Sequence, residues 1–136
     1  PNILLFSVDN DSIPTNTLSP VNGVVDATRI GPGVGAMPAA AIGQRYLLLS
    51  DVGDELNVGT GPLAWRGSGI DLVAKANDII EYVTPGKWVV SMNAAATSTT
   101  QYVTNLTTGI QFKWQNNLWI RSWQGAYPAL TWRLVL

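Results

Sequence analysis

Residues 110–123 read IQFKWQNNLWIRSW, and this stretch decides the fold that the sequence predicts. Two short runs in which apolar and polar residues alternate flank Asn116 and Asn117. Alternation with a period of two is typical of strands, and asparagine tolerates the left-handed backbone of a tight hairpin turn. If the two asparagines form the turn, Trp114 and Trp119 lie directly opposite each other. The stretch therefore predicts an antiparallel hairpin whose register is fixed by a tryptophan pair.

A second hairpin of the same kind is predicted upstream. Residues 78–82 form its first strand, 83–86 its turn and 87–92 its returning strand. As in the first hairpin, an aromatic residue (Tyr82) precedes the turn and a tryptophan (Trp88) begins the return. Further strands are predicted at 45–49, 102–105 and 130–136. The fold class is therefore mostly β, an antiparallel meander, sandwich or small barrel of Trp-bearing hairpins.

Residues 1–44 differ from the rest of the chain in being rich in proline and glycine. Proline removes an amide donor and glycine permits positive φ, so we expect an extended, loop-rich arm. The arm packs against an antiparallel β core at 45–136, and the two form a single domain. Within the arm the Asn-Gly pair at 22–23 predicts a hairpin turn, and residues 38–42 predict a short helical turn. Residues 71–76 are also compatible with a short helix.

The composition excludes most classes of enzyme. The 136 residues contain no cysteine and no histidine, which removes disulfides, thiolate metal ligands and the histidine-based catalytic arrangements. Asp78 and Glu81 are the closest carboxylates on a predicted strand, but their three-residue offset puts them on opposite faces. We predict no catalytic site, no cofactor and no metal. Oxygen-bearing side chains at 51–57 and 9–12 are weak candidates for a cation site, the first being the better.

Charge is scarce and unevenly distributed. Charged residues make up 12% of the chain, about half of the usual share of roughly 25%. All nine acidic residues lie in 1–81, whereas 82–136 contains four bases and no acid, so the two parts carry −5 and +4. This asymmetry favours contacts between the two parts, within one fold or between neighbouring copies. Four separated bases are too few for nucleic acid and no apolar run is long enough to span a membrane, so neither is an expected partner.

The six tryptophans and four tyrosines allow two interpretations. In the first, which we favour, the rings pack across strands and hold a scaffold together, because aromatic residues in period-two strands are usually packed. In the second, exposed rings stack on sugars while asparagine and glutamine side chains bind hydroxyl groups. The residues predicted to make scaffold or interface contacts are Tyr82, Trp88, Trp114, Trp119, Trp123, Trp132, Arg121 and Arg133.

Residues 77–82 (NDIIEY) and 86–88 (GKW) resemble a hairpin of virion and tail proteins of tailed bacteriophages, with an aspartate, aliphatic residues, a tyrosine, a glycine turn and a tryptophan. Residues 30–48, together with 102–105 and 132–136, are similar to structural proteins of large contractile-tailed phages of the myovirus and cyanophage type. The chain departs from the pattern where Thr-Pro-Gly replaces the usual Asp-Gly or Asn-Gly turn, and where Trp-Gln-Gly-Ala-Tyr replaces a more acidic stretch.

The resemblance implies a non-enzymatic component of a virion, whose partners are other virion proteins and copies of itself. A carbohydrate-binding module for host surfaces is the alternative, with a glycan as its partner. Because an apolar run follows Pro1 almost directly, we also expect the chain to be the C-terminal part of a longer polypeptide.

Overall fold

A computed structural model of the chain describes residues 13–53, 65 and 72–122. The predicted strand at 130–136 lies outside these residues. Within them the chain forms seven strands and a turn of 3₁₀ helix at Ala94–Ala96, so it is mostly β as predicted. The strands are β1 (Gly23–Val25), β2 (Arg45–Leu48), β3 (Ile79–Thr84), β4 (Lys87–Met92), β5 (Gln101–Asn105), β6 (Ile110–Gln115) and β7 (Leu118–Arg121).

The strands form two sheets, of four strands in the order β1-β2-β3-β4 and of three strands in the order β5-β6-β7. Strands β1 and β2 pair in parallel, and every other neighbouring pair is antiparallel. Neither sheet closes into a barrel within the described ranges, and the two sheets pack against each other. The described residues therefore form the predicted meander or sandwich and not a closed barrel.

The hairpin predicted around Asn116 and Asn117 is confirmed. These residues have φ values of 54° and 61°, the left-handed backbone that a two-residue turn with primed geometry requires. Strands β6 and β7 leave the turn in the predicted register, with Trp114 directly opposite Trp119. Residues close in sequence are enough to predict this hairpin, because the turn residues and the alternation in the strands specify the same pairing.

The second predicted hairpin is also present, with a tighter turn than expected. Strand β3 continues through Thr84, so Pro85 and Gly86 alone connect it to β4. Tyr82 lies opposite Trp88, and the register shifts between Tyr82 and Thr84. As in the other hairpin, the aromatic pair is therefore the next pair after the one that flanks the turn, but here Val83 is an extra residue between Tyr82 and Thr84.

The hairpin turn predicted at Asn22 and Gly23 is wrong. Val21 forms a parallel bridge with Asn105 of β5, whereas the residues from Gly23 onward pair in parallel with β2. Between them, the backbone N–H of Asn22 donates to the carbonyl oxygen of Arg45 at 2.7 Å, and the Asn22 side chain accepts the Arg45 N–H at 2.9 Å. The chain thus runs straight from one sheet into the other, because each flanking run pairs with a strand distant in sequence.

The helical turn predicted at 38–42 is wrong as well, and the described part of 71–76, which is compatible with a short helix, is not helical. The backbone of residues 38–41 bonds to the side chain of Gln44, which accepts the Ala41 N–H at 3.0 Å and donates to the Ala39 carbonyl at 3.2 Å. In the described part of 71–76, Ala74 instead forms an antiparallel bridge with Val52. In both places partners outside the segment replace the bonds that a helix would make within it.

The four-stranded sheet is buried on both faces, because successive strand residues point to opposite sides. One face contributes to an outer core beneath irregular segments, which consists of Val25, Ala27, Met37, Tyr46, Leu48, Val52, Trp65, Leu72, Ala74, Ile80 and Trp88. The other face contributes to an inter-sheet core, which consists of Val21, Leu47, Ile79, Met92, Ala94, Val103 and Trp114. The described part of the arm, 13–44, therefore belongs to the body of the fold through Val21, Ala27 and Met37.

Gly53 and Gly43 offer a matched test of packing in the outer layer. Both have positive φ, 75° and 93°. A Cβ at Gly53 would lie 2.3 Å from the backbone oxygen of Leu72, whereas a Cβ at Gly43 would meet nothing within 4 Å.

We expect Gly43→Ala to lower the free energy of unfolding by about 1–2 kcal/mol, because an alanine is strained at positive φ. Gly53→Ala should lower it by clearly more, since backbone must also shift. Urea unfolding followed by tryptophan fluorescence measures both losses, and equal losses would contradict the close approach seen at Gly53.

Candidate functional site

Trp88 lies at the centre of an aromatic cluster in the outer core. Its ring centroid is 5.9 Å from that of Tyr46, 5.0 Å from that of Trp65 and 5.1 Å from that of Tyr82. The indole N–H of Trp65 donates to the carbonyl oxygen of Ile30 at 2.8 Å, which attaches an irregular segment to the cluster. Trp88 is only 5% exposed, so its ring stabilises the layer and has no face open to a ligand.

The second aromatic pair connects the two sheets. The centroids of Trp114 and Trp119 are 5.3 Å apart with the rings inclined at 51°. The indole of Trp114, which is 4% exposed, donates to the carbonyl of Thr97 at 3.0 Å, and that of half-buried Trp119 donates to the carbonyl of Asn77 at 2.9 Å. Because Asn77 lies just before β3, Trp119 ties the three-stranded sheet to the four-stranded one.

The remaining predicted contact residues are distributed differently. Arg121 is exposed at the end of β7 and makes no ion pair with another described residue. Trp123, Trp132 and Arg133 lie outside the described residues. The structure therefore assigns four of the predicted aromatic residues, Tyr82, Trp88, Trp114 and Trp119, to internal packing.

The two carboxylates weighed as a catalytic pair have separate structural partners. Glu81 accepts from the Arg45 guanidinium at 2.5 Å. Asp78 is buried and accepts the backbone N–H groups of Lys75 at 3.0 Å and Ala94 at 2.8 Å. Each carboxylate therefore accepts hydrogen bonds from its own set of groups, and the two sets have no member in common.

No cluster of three or more acidic side chains that could hold a metal ion occurs among the described residues. Within the predicted acidic loop, Asp51 is described: it accepts the Ala76 N–H at 2.8 Å and lies 3.8 Å from the Lys75 ammonium group. Asp54, Glu55 and Asn57, the other oxygen-bearing residues of that loop, lie outside the described ranges. Of the described helices, none has the length and apolar character needed to cross a membrane.

An apolar groove lies beside β7 at the outer edge of the contact between the sheets. It has a volume of about 240 Å³, and its lining is Val24, Leu47, Leu49, Asn77, Phe112, Leu118 and Trp119. Leu49 and Leu118 on its rim are 62% and 60% exposed, and Ile120 on β7 is also exposed. We call this feature the β7 groove. An exposed aliphatic rim of this kind is typical of a surface that another molecule covers.

Sequence reasoning missed the β7 groove because it singled out aromatic and basic residues. The available signal was the alternation in residues 118–121, where Leu118 and Ile120 occupy one set of alternate positions and Trp119 and Arg121 the other. Once Trp119 is known to pack inward, Leu118 and Ile120 must point away from the inter-sheet core. That Trp119 packs inward, however, is known only from its contact with the four-stranded sheet through Asn77.

Comparisons with models of known protein families, with curated protein sequences and with solved structures find no match to this chain.

A carboxylate network at Asp26 makes stability depend on pH. Hydrogen bonds from Ser50 and then from Thr28 are the main causes that lower the pKa of Asp26 below its usual value. A lowered pKa means that the ionised carboxylate stabilises the fold above the pKa it has in the unfolded chain. That stabilisation is lost as the pH falls through the lower, folded-state pKa.

We therefore expect Asp26→Asn to destabilise the protein near neutral pH and to flatten the loss of stability below about pH 4. Ser50→Ala should flatten the same region less, because it removes one donor and leaves Thr28. Urea unfolding at a series of pH values measures both effects. Parallel acid profiles for the wild type and Asp26→Asn would contradict this role.

The burial of the aromatic rings predicts a graded response to their removal. We expect Trp88→Ala to lower the free energy of unfolding by about 3–5 kcal/mol, since it leaves a cavity in the outer core. Trp119→Ala should cost less, because its ring is already partly solvated. Chemical unfolding followed by circular dichroism at far-ultraviolet wavelengths tests the order, and a larger loss at Trp119 would contradict it.

Proposed function

We propose that this chain is a non-enzymatic structural component of a tailed-phage virion and that it works by burying surface against neighbouring subunits. The observation that carries the proposal is the β7 groove with its exposed rim of Leu49 and Leu118, together with the exposed Ile120 on the same strand as Leu118. Covering these side chains removes apolar area from water at a gain of about 25 cal/mol per Å². The resemblance of residues 77–88 to hairpins of phage virion proteins supports the choice of setting.

Strand β7 supports the same proposal through its backbone. It pairs with β6 on one side and has no partner on its other side among the described residues. An edge strand with open N–H and C=O groups can add a strand from another subunit. The rim residues would then be buried by the same contact.

The distribution of charge favours one orientation of neighbouring copies in such a contact. The ion pairs of the described residues, Asp26–Arg29, Arg45–Glu81 and Asp51–Lys75, all lie within the acidic part of the chain. Lys87, Lys113 and Arg121 of the basic part have no acidic partner among the described residues. A neighbouring copy would bring its acidic part to these bases and so favour one orientation over others.

The proposal predicts association that depends on the groove rim. We expect the wild-type chain to form oligomers as its concentration rises, and the double variant Leu118→Ser/Ile120→Ser to weaken association by about 10- to 100-fold. Complete burial of an aliphatic side chain contributes about 1.5–3 kcal/mol, and these two side chains are 60% and 42% exposed, so the contact would bury about half of each. Sedimentation equilibrium measures the dissociation constants.

Leu106→Ser is the matched control, because Leu106 is 59% exposed, close to the value for Leu118, but does not line the groove. It should associate as the wild type does. A wild-type chain that stays monomeric at all concentrations would overturn self-association. Membership of a virion is tested separately, by mass spectrometry of purified phage particles that encode the chain, and absence from them would overturn that assignment.

A further inference from the structure

Residues 21–23 connect the two sheets, and we call them the sheet junction. Val21, which is fully buried, bridges to Asn105 of the three-stranded sheet, and Gly23 pairs with Tyr46 of the four-stranded sheet. A single residue, Asn22, separates the two pairings. The spacing between the sheets along this edge therefore depends on the length of main chain that Asn22 contributes.

The glycine of the Asn-Gly pair is not required by the fold. Gly23 lies in β1 rather than in a turn, and its φ is not positive. A Cβ built at Gly23 would lie 3.7 Å from the Tyr46 ring and 3.8 Å from the Thr107 hydroxyl oxygen, which is ordinary contact. A larger residue would also favour the strand, since glycine weakens a strand interior. Neither turn geometry nor close packing therefore accounts for Gly23.

An asparagine followed by glycine is chemically labile, because glycine has no Cβ that hinders access to its nitrogen. The nitrogen of Gly23 attacks Cγ of Asn22, the bond between Cγ and Nδ2 breaks, and Nδ2 leaves as ammonia with the proton of the Gly23 N–H. Water then opens the cyclic imide. Opening at Cγ gives aspartate, whereas opening at the former backbone carbonyl carbon gives isoaspartate, in which the main chain runs through Cβ and Cγ.

Asn22 is the asparagine of this chain that best fits the reaction. The sequence contains one Asn-Gly pair, and every other asparagine precedes a residue that carries a Cβ. Asn22 is also exposed to solvent, which supplies the water and removes the ammonia. Both the order of residues and the exposure therefore single out this position.

Hydrogen bonds at the sheet junction restrict the rotations that the reaction needs. The Asn22 side chain accepts the Arg45 N–H at 2.9 Å, which restrains rotation about Cα–Cβ. The Asn22 carbonyl oxygen accepts from the Thr107 hydroxyl at 2.5 Å, which restrains rotation of the peptide group that contains the Gly23 nitrogen. The reaction is therefore slow while the junction is closed and faster when it opens locally.

We propose that Asn22 is a site of spontaneous deamidation, that the closed sheet junction limits its rate, and that isoaspartate at this position weakens the connection between the sheets. Isoaspartate adds one carbon to the main chain between Val21 and Gly23, so their two pairings no longer fit the same spacing. Aspartate leaves the length of the main chain unchanged and keeps an oxygen for the Arg45 N–H. This covalent change is independent of the β7 groove and of the proposed assembly role.

The test is incubation of the whole chain at neutral pH, in buffer and in urea, with peptide mapping by mass spectrometry that separates aspartate from isoaspartate. We expect Asn22 to react before the other asparagines, and at least about 10-fold faster in urea, where its bonds to Arg45 and Thr107 are absent. Gly23→Ala should lower the product in urea to the level at Asn93, which is also followed by an alanine.

Thr107→Val tests the restraint in the folded chain, because it removes the hydroxyl and keeps a β-branched side chain. It should raise the rate in buffer by about 2- to 10-fold, the effect of losing one hydrogen bond, and leave the rate in urea unchanged. Thr108→Val is the matched control, since the Thr108 hydroxyl accepts the Ile110 N–H and does not bond to Asn22. Melting temperatures show that both variants are folded, and equal rates in buffer for wild type and Thr107→Val would overturn the restraint.

The consequence is measured on the isoaspartate form, separated from aged protein by ion-exchange chromatography. We expect it to melt about 2–8 °C below the wild type, and Asn22→Asp to melt close to the wild type. An isoaspartate form as stable as Asn22→Asp would overturn the weakening of the connection. A folded chain in which other asparagines react before Asn22, or in which Asn22 reacts as fast as in urea, would overturn the proposal as a whole.

Discussion

Two consecutive isoleucines, Ile79 and Ile80, are both fully buried, and they point to opposite faces of the four-stranded sheet. The whole structure depends on the need to cover both of these faces. One is covered by the second sheet, through Val103 and Trp114. The other is covered by residues outside the named strands, among them Met37 and Trp65, which belong to the same core as Ile80. Among the described residues no third sheet lies over this face, so connecting segments form the third layer.

The loops can form a layer because their polar groups have partners. The segment at 17–21 donates backbone N–H groups to the carbonyls of Tyr102 and Thr104, and the next residues pair with β2. This continuous run of bonds holds the two sheets together along one edge. Trp119 does the same elsewhere by donating to Asn77, 42 residues away in sequence. Buried backbone groups without such partners would destabilise the fold by more free energy than the apolar contacts contribute.

A scaffold held in this way leaves the β7 groove at the margin of the sheets. The exposed rim of this groove is aliphatic, through Leu49 and Leu118. An aliphatic rim is suited to contact with a protein neighbour.

The sequence by itself determined the β class, both hairpins and the pairing of Trp114 with Trp119, because turn residues and period-two strands act over a few residues. The role of the Asn-Gly pair at 22–23, the absence of helical turns at 38–42 and the faces covered by each isoleucine were decided by tertiary structure alone. In each case the partner lies tens of residues away, and local propensity carries no information about a distant strand. The β7 groove follows the same rule, since Leu118 comes to lie beside Val24 and Leu47 only when the two sheets are packed.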